Sequence, residues 1–131
     1  MNLLLDTHTF LWLAVGDSQL SQRSIILLRD KSNELKLSIV SIWEMSIKSG
    51  LGKLKLSSSV QRFVDTAING YDILVLPLSM KDCSIYEGLG FPKKEHRDPF
   101  DRMIISQAIN HDLHILGIDQ SFDSYPIRRI W

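Results

Sequence analysis

One thiol, Cys83, is all that the 131-residue chain offers for disulfide or thiolate chemistry. An internal disulfide and a cysteine-built metal site are therefore both excluded. Histidine is scarce as well. His111 and His114 are separated by an expected helix end, and His8 and His96 stand alone, so no histidine spacing suits zinc. Nor does either sign of charge dominate: 15 Lys and Arg face 15 Asp and Glu, for a formal net charge of zero. That weighs against a protein that coats nucleic acid with a basic face. A nuclease stays admissible, because its own acids offset part of its basic surface. No apolar run approaches the roughly 20 residues that span a bilayer, and no basic segment introduces a signal-like stretch. A cytoplasmic location, away from membranes, is the expectation. Repeats, low-complexity tracts and interdomain linkers are missing too. What is left is one domain over residues 1–131, with 44% apolar residues, long enough to bury a core without staples.

Short apolar runs alternate with helical patterns along this chain. Asn2–Leu5, Leu35–Val40, Ile73–Leu76 and Leu113–Ile118 read as strands buried on both faces, with Ile127–Ile130 a fifth. Helices are expected at Thr7–Val15, from a Ser21 cap to Asp30, and around Glu44 as far as Gly50. Others run from Ser59 to Asn69, from Ser79 to Glu87, and from Pro99, well suited to a first helical position, to about His111. Gly52–Leu56 is a connector and Gly88–Arg97 is irregular. The pattern predicts an α/β fold: a central parallel sheet of four to five strands, flanked by helices on both sides. Right-handed crossovers follow. Strand order is not encoded in the pattern.

Acids recur where strands hand over to helices. Leu3-Leu4-Leu5 ends at Asp6, and Ile115-Leu116-Gly117-Ile118 ends at Asp119. Ile39-Val40-Ser41-Ile42-Trp43-Glu44 runs from strand into helix, with Glu44 expected on the first turn. In a parallel sheet these ends point to the edge where α/β proteins place ligands. Asp98-Pro99-Phe100-Asp101 opens a further helix. Asp101 shares a face with Ile104, Ile105 and Ala108, whereas Asp98 fits the N-cap. Taken singly, each acid has an ordinary explanation. Asp6 and Asp119 could cap helices, and Ser41 with Glu44 fits a capping box, with Lys48 one turn on as an ion-pair partner. Taken together they do not. Two carboxylates about 5 Å apart repel by roughly 3 kcal/mol at an effective dielectric of 20. Such a cluster needs divalent cations or raised pKa values. Oxygen-only ligation suits Mg²⁺ or Mn²⁺, and the chemistry that uses them in an acidic cleft is phosphoryl transfer.

Leu4-Leu5-Asp6-Thr7-His8, Ser41-Ile42-Trp43-Glu44 and His96-Arg97-Asp98-Pro99-Phe100-Asp101-Arg102 closely resemble the motifs of PIN-domain proteins. Most nearly, they resemble the VapC-like toxins of bacterial toxin–antitoxin pairs. The resemblance spans the whole chain, including Gln107-Ala108 two turns after Asp101. It implies a three-layer PIN-like fold and a Mg²⁺- or Mn²⁺-dependent endoribonuclease that hydrolyses RNA with a metal-activated water. Residue by residue, the family's acids fall on Asp6, Glu44, Asp101 and Asp119, which would be the catalytic metal ligands. Asp98 would stand behind them or start the helix. One departure concerns Asp119: the family often has Thr or Ser two residues earlier, where this chain has Gly117. A cognate antitoxin protein is the implied partner, and homodimers are common in the family.

Lys48, Arg97 and Arg102 lie near these acids in sequence and could contact RNA phosphates. The alternative is salt bridging with the same acids, favoured slightly for Arg102 because its helical neighbours point it off the buried stripe. Trp12, Trp43 and the Leu51/Leu54/Leu56 run could offer an apolar groove to an antitoxin helix or a second copy, with Trp43 expected in the core. A small-molecule phosphohydrolase would need a second Asp two residues after a nucleophilic one. Asp6 is followed by Thr7 and His8, which excludes that motif. The remaining alternative is a non-catalytic PIN-like module that binds RNA or protein and keeps its acids as caps.

Overall fold

Leu3, Leu4 and Leu5 are wholly buried, and their side chains alternate between two separate cores. That alternation is the period of a strand covered on both faces. A computed structural model describes residues 1–131. Its strands are β1 (Asn2–Leu5), β2 (Glu34–Ser38), β3 (Ile73–Leu76), β4 (His114–Leu116) and β5 (Arg129–Ile130). They form one sheet in the order β3-β2-β1-β4-β5, with every pair parallel. The helices are α1 (Thr7–Val15), α2 (Gln22–Arg29), α3 (Ile39–Gly50), α4 (Val60–Tyr71), α5 (Met80–Glu87) and α6 (Pro99–His111). A short 3-10 turn, Gln120–Ser124, lies between β4 and β5.

Leu3 and Leu5 face a core built with Phe10 and Leu13 of α1, Met45 of α3, and Val64 and Ala67 of α4. Leu4 faces the other, with Ile104, Ile105 and Ala108 of α6, Phe122 and Tyr125. Each fully buried leucine contributes about 1.5–3 kcal/mol. The result is the three-layer α/β architecture that the sequence predicts. No helix is long and apolar enough to cross a membrane.

Three boundaries differ from expectation, each for a local reason. The Ser38 hydroxyl accepts from the Val40 amide, so α3 begins at Ile39 and not after Ser41. Ile39 and Val40 are therefore helical, and Glu44 sits on the second turn rather than the first. The expected capping box does not form, and Ser41 is buried inside the helix. At its far end, α4 runs past Asn69-Gly70 and stops at Asp72, which adopts the left-handed conformation (φ 53°). β4 and β5 are shorter than their apolar runs, because only His114–Leu116 and Arg129–Ile130 find ladder partners.

Candidate active site

β1 lies between β2 and β4, so the chain's direction of travel across the sheet reverses beside it. A crevice opens at such a point, outside the carboxyl ends of the strands. Asp6 follows β1 directly, and Asp119 follows β4 by two residues beyond Gly117. Asp6 has the backbone of an N-cap, but its side chain makes no capping hydrogen bond, and it is 4% exposed. Asp119 is a cap: its carboxylate accepts from the Ser121 amide and hydroxyl.

Glu44 reaches the crevice from α3 and is buried. The Thr7 hydroxyl donates to Glu44 Oε1 (2.9 Å) and lies 2.8 Å from Ser41 Oγ. Thr7 has a single proton to give and a carboxylate has none, so the Ser41 hydroxyl donates to Thr7. Lys48 donates to Glu44 Oε2 at 2.7 Å, the expected pairing one helical turn on. The early start of α3 is what turns both Ser41 and Glu44 inward.

Asp101 enters from the first turn of α6, whose N-cap is Asp98, accepting from the Phe100 and Asp101 amides. Ile104, Ile105 and Ala108 are buried as predicted, and the Asp101 side chain is 24% exposed at the head of their stripe. His96 does not stand alone. Its Nε2 is 3.4 Å from Asp101 Oδ2, and ligand atoms of His96, Asp101 and Asp119 all lie within 4.8 Å of one another. His96 opens the motif His96–Arg102, but apolar periodicity gives it no role. Its partners are five and 29 residues away.

Burial pushes Asp101 up to about 8, with the charges of Asp98, Asp6, Glu44 and Asp119 adding to the effect. Asp6 is raised to about 6, mainly by burial, and Glu44 and Asp119 push in the same direction against the opposing charge of His8. The four predicted acids thus share one electrostatic neighbourhood. Carboxylates buried without enough donors fit a divalent cation, and oxygen donors in this number suit Mg²⁺ or Mn²⁺.

Other residues are placed differently from expectation. Arg102 is 3% exposed; it donates to the Tyr125 hydroxyl at 3.0 Å and lies over the rings of Phe91 and Tyr86. A guanidinium held there is not presented to a polyanion, and it pairs with none of the acids. Arg97 is exposed and stacks over Phe91. Trp43 is 60% exposed instead of core, packing edge-on against Phe100 beside an apolar hollow of about 170 Å³. The early start of α3 turns it outward. Of the leucine run, Leu51 is exposed, whereas Leu54 packs against the core.

Gly117 has a positive reason to be glycine. A Cβ there would come within 2.9 Å of the Asp6 Cβ. Any side chain at this position, hydroxyl-bearing or not, would displace Asp6 or the strand end.

Residues 3–127 match the family model of the PIN domain. The chain belongs to the PIN-domain family. No curated protein matches it by sequence. Solved structures agree in fold. A VapBC2 chain from Rickettsia felis, solved bound to a DNA fragment from the promoter, is 18% identical; the match covers 99% of this chain and 98% of that one at a TM-score of 0.75. A DNA-bound VapBC chain from Salmonella typhimurium is 18% identical, with 99% and 97% covered and a TM-score of 0.71. FitAcB from Neisseria gonorrhoeae is 20% identical, with 98% and 96% covered and a TM-score of 0.61.

Proposed function

We propose that this PIN domain, residues 1–131, is a metal-dependent endoribonuclease and the toxin of a toxin–antitoxin pair. The observation that carries the reading is the convergence at the sheet's reversal point of Asp6, buried at the end of β1, with Glu44 of α3 and the partly exposed Asp101 that opens α6. Asp6, Glu44 and Asp101 would hold the cation, with Asp119 assisting. When bound, Mg²⁺ or Mn²⁺ supplies a lowered pKa for water and neutralisation of charge on the scissile phosphodiester.

The chain's own groups do the rest. Glu44 is kept in one orientation by Thr7 and Lys48. Asp101 carries a proton near neutral pH until something positive displaces it. Exposed Arg97, next in sequence to His96, and half-exposed Lys48, paired with Glu44, would grip phosphates flanking the cut. Complexes named VapBC and FitAcB among the fold's neighbours support an antitoxin as the partner.

The test is cleavage of a mixed cellular RNA pool by the purified chain with Mn²⁺, with EDTA, and as Asp6→Asn. Cleavage that needs both the cation and Asp6 supports the reading. Binding of RNA without cleavage in any cation would replace it with the non-catalytic module.

A further inference from the structure

Behind Asp101 runs a buried chain of hydrogen bonds that the proposed chemistry does not itself use. Arg102 Nη1 lies 3.0 Å from the Tyr125 hydroxyl, which lies 2.8 Å from His96 Nδ1. His96 Nε2 then faces Asp101 Oδ2 at 3.4 Å. The direction of this chain can be worked out from its ends. A guanidinium has no acceptor, so Arg102 donates to Tyr125. Tyr125 is 5% exposed and has one proton. Unless that proton goes to His96 Nδ1, it is buried without an acceptor, which costs about 1–3 kcal/mol. Nδ1 therefore accepts, and a neutral His96 carries its proton on Nε2, toward Asp101. The two links that set the tautomer are of ordinary length, and only the last is long. The aromatic faces of Phe91 and Tyr86, 4.1 and 5.3 Å from the guanidinium carbon, hold Arg102 in place.

We propose that His96 is a positioning residue: Tyr125 and Arg102 fix its Nε2–H, which holds Asp101 Oδ2 and leaves the other oxygen for a cation. Its tautomer also decides what kind of site this is. With Nε2 protonated, His96 cannot ligate, and the donor set stays all oxygen. With Nε2 bare, His96, Asp101 and Asp119 would form a mixed nitrogen–oxygen site. The Tyr125 proton would then be orphaned.

The inference rests on the cation reading of Asp101 for its consequence, but the tautomer can be read without metal. Nitrogen-15 NMR of the metal-free chain, at mildly alkaline pH, should report the Nε2–H form for His96. In Tyr125→Phe that preference should disappear, and calorimetric Mn²⁺ affinity should fall about 10–100-fold with a cooperative melt retained. His96→Gln keeps a donor near the Nε2 position and should bind Mn²⁺ close to the parent value. His96→Leu should lose about 10–100-fold. A packing role would rank Leu at least level with Gln, and that ranking overturns the proposal. Finding Nδ1–H in a parent chain that binds Mn²⁺ overturns the relay and leaves the cation reading standing. If the parent shows Nε2–H but binds no Mn²⁺, the cation reading falls and the positioning role falls with it.

Discussion

Asp82 and Asp6 are both removed from solvent, and their surroundings push them in opposite directions. Asp82, 0% exposed on α5, accepts from the Ser79 amide at 2.9 Å, Asn110 at 2.8 Å and Gln107 at 3.4 Å. Burial alone would raise its pKa, but the donors of Asn110, Ser79 and Gln107 outweigh burial and lower it. Asp6 has only the Thr7 backbone amide and the charge of His8 to set against burial, and is raised to about 6; Asp101 is raised to about 8. A buried carboxylate whose lone pairs are filled by N–H groups is a joint between helices, here α5 and α6. One whose lone pairs are left open holds a proton or waits for a cation. Depth of burial does not separate the two. The donor count does.

Neutralising each acid should split them most widely. Asp6→Asn and Asp101→Asn should lower cation-dependent RNA cleavage by at least about 100-fold, since even groups behind a ligand are worth about 10–100-fold in metal affinity. Asp82→Asn should leave the cleavage rate per folded molecule near the parent value. It should cost about 1–3 kcal/mol of stability, because an amide turns its own donors toward those of Asn110 and Gln107. Asp101→Asn should instead raise the stability of the metal-free protein above neutral pH. Urea titrations of the variants, beside single-turnover cleavage, check both halves. Equal losses of stability in the Asp82 and Asp101 variants would erase the distinction.

The same difference has a pH signature of opposite sign. Asp101 moves from 3.8 to about 8 on folding. Between those values the native state holds a proton that the unfolded chain has released. Metal-free stability therefore falls as pH rises through this window, by at most about 1.4 kcal/mol per unit for one group. Asp6 adds a smaller fall that ends near 6. Asp82, lowered on folding, contributes stability that is present above its ordinary value of 3.8 and lost as pH drops through its folded pKa. Saturating Mg²⁺ should flatten the alkaline decline by taking the proton's place, with protons released on binding. Denaturation midpoints across pH, with and without Mg²⁺, measure this. A metal-free profile that stays level from mildly acid to alkaline pH would contradict the placement of Asp101.

Two glycines test how tightly the open carboxylate is framed. Gly117→Ala should disturb Asp6 through its 2.9 Å approach, costing about 1–3 kcal/mol and weakening Mn²⁺ binding. Gly70→Ala, inside α4 with no atom within 4 Å of the added carbon, should gain about 0.5–1 kcal/mol and leave Mn²⁺ binding unchanged. Thermal melts and Mn²⁺ calorimetry on the pair are enough. Unchanged Mn²⁺ binding by Gly117→Ala would free Asp6 from this constraint.

The layers and the four acids were legible in the chain because local rules write them. Strand runs of four to six residues, the Asp98-Pro99 helix start and the stripe behind Asp101 are read from neighbours in sequence. What stayed hidden depends on competition or on distance. Ser38 and Ser41 both resemble caps, and nothing local shows that the earlier one wins, so Glu44 falls one turn later than expected and Trp43, expected in the core, is exposed. Arg102 belongs to a helix whose periodicity is clear. Its burial depends on Tyr125 and Phe91, which arrive from loops that no periodicity describes. His96 stands in a motif the sequence shows, but its contact with Tyr125 depends on the same distant loop. Gly117, read as a missing hydroxyl, is explained only once β4 is set beside β1 and Asp6 comes close.

The smallest expected effects concern Lys48 and Arg97, the two basic residues proposed to grip RNA, and they should differ in kind. Lys48 spends its ammonium on Glu44 Oε2 at 2.7 Å, and that hydrogen bond raises its pKa. A lysine in this position competes with any cation for the same oxygen, and its charge repels that cation. Lys48→Met should therefore raise Mg²⁺ affinity a little while lowering RNA affinity, each by about 1 kcal/mol or less, as for exposed ion pairs. Arg97 has only the Phe91 face behind it. Arg97→Met should leave Mg²⁺ affinity unchanged, weaken RNA binding by a similar amount, and reduce the salt slope of RNA binding by about one. Calorimetry with Mg²⁺ alone and filter binding of non-cleaved RNA across salt separate the two. If both variants bind Mg²⁺ as the parent does, Lys48 is a phosphate contact only, and Glu44 holds a cation without a competitor.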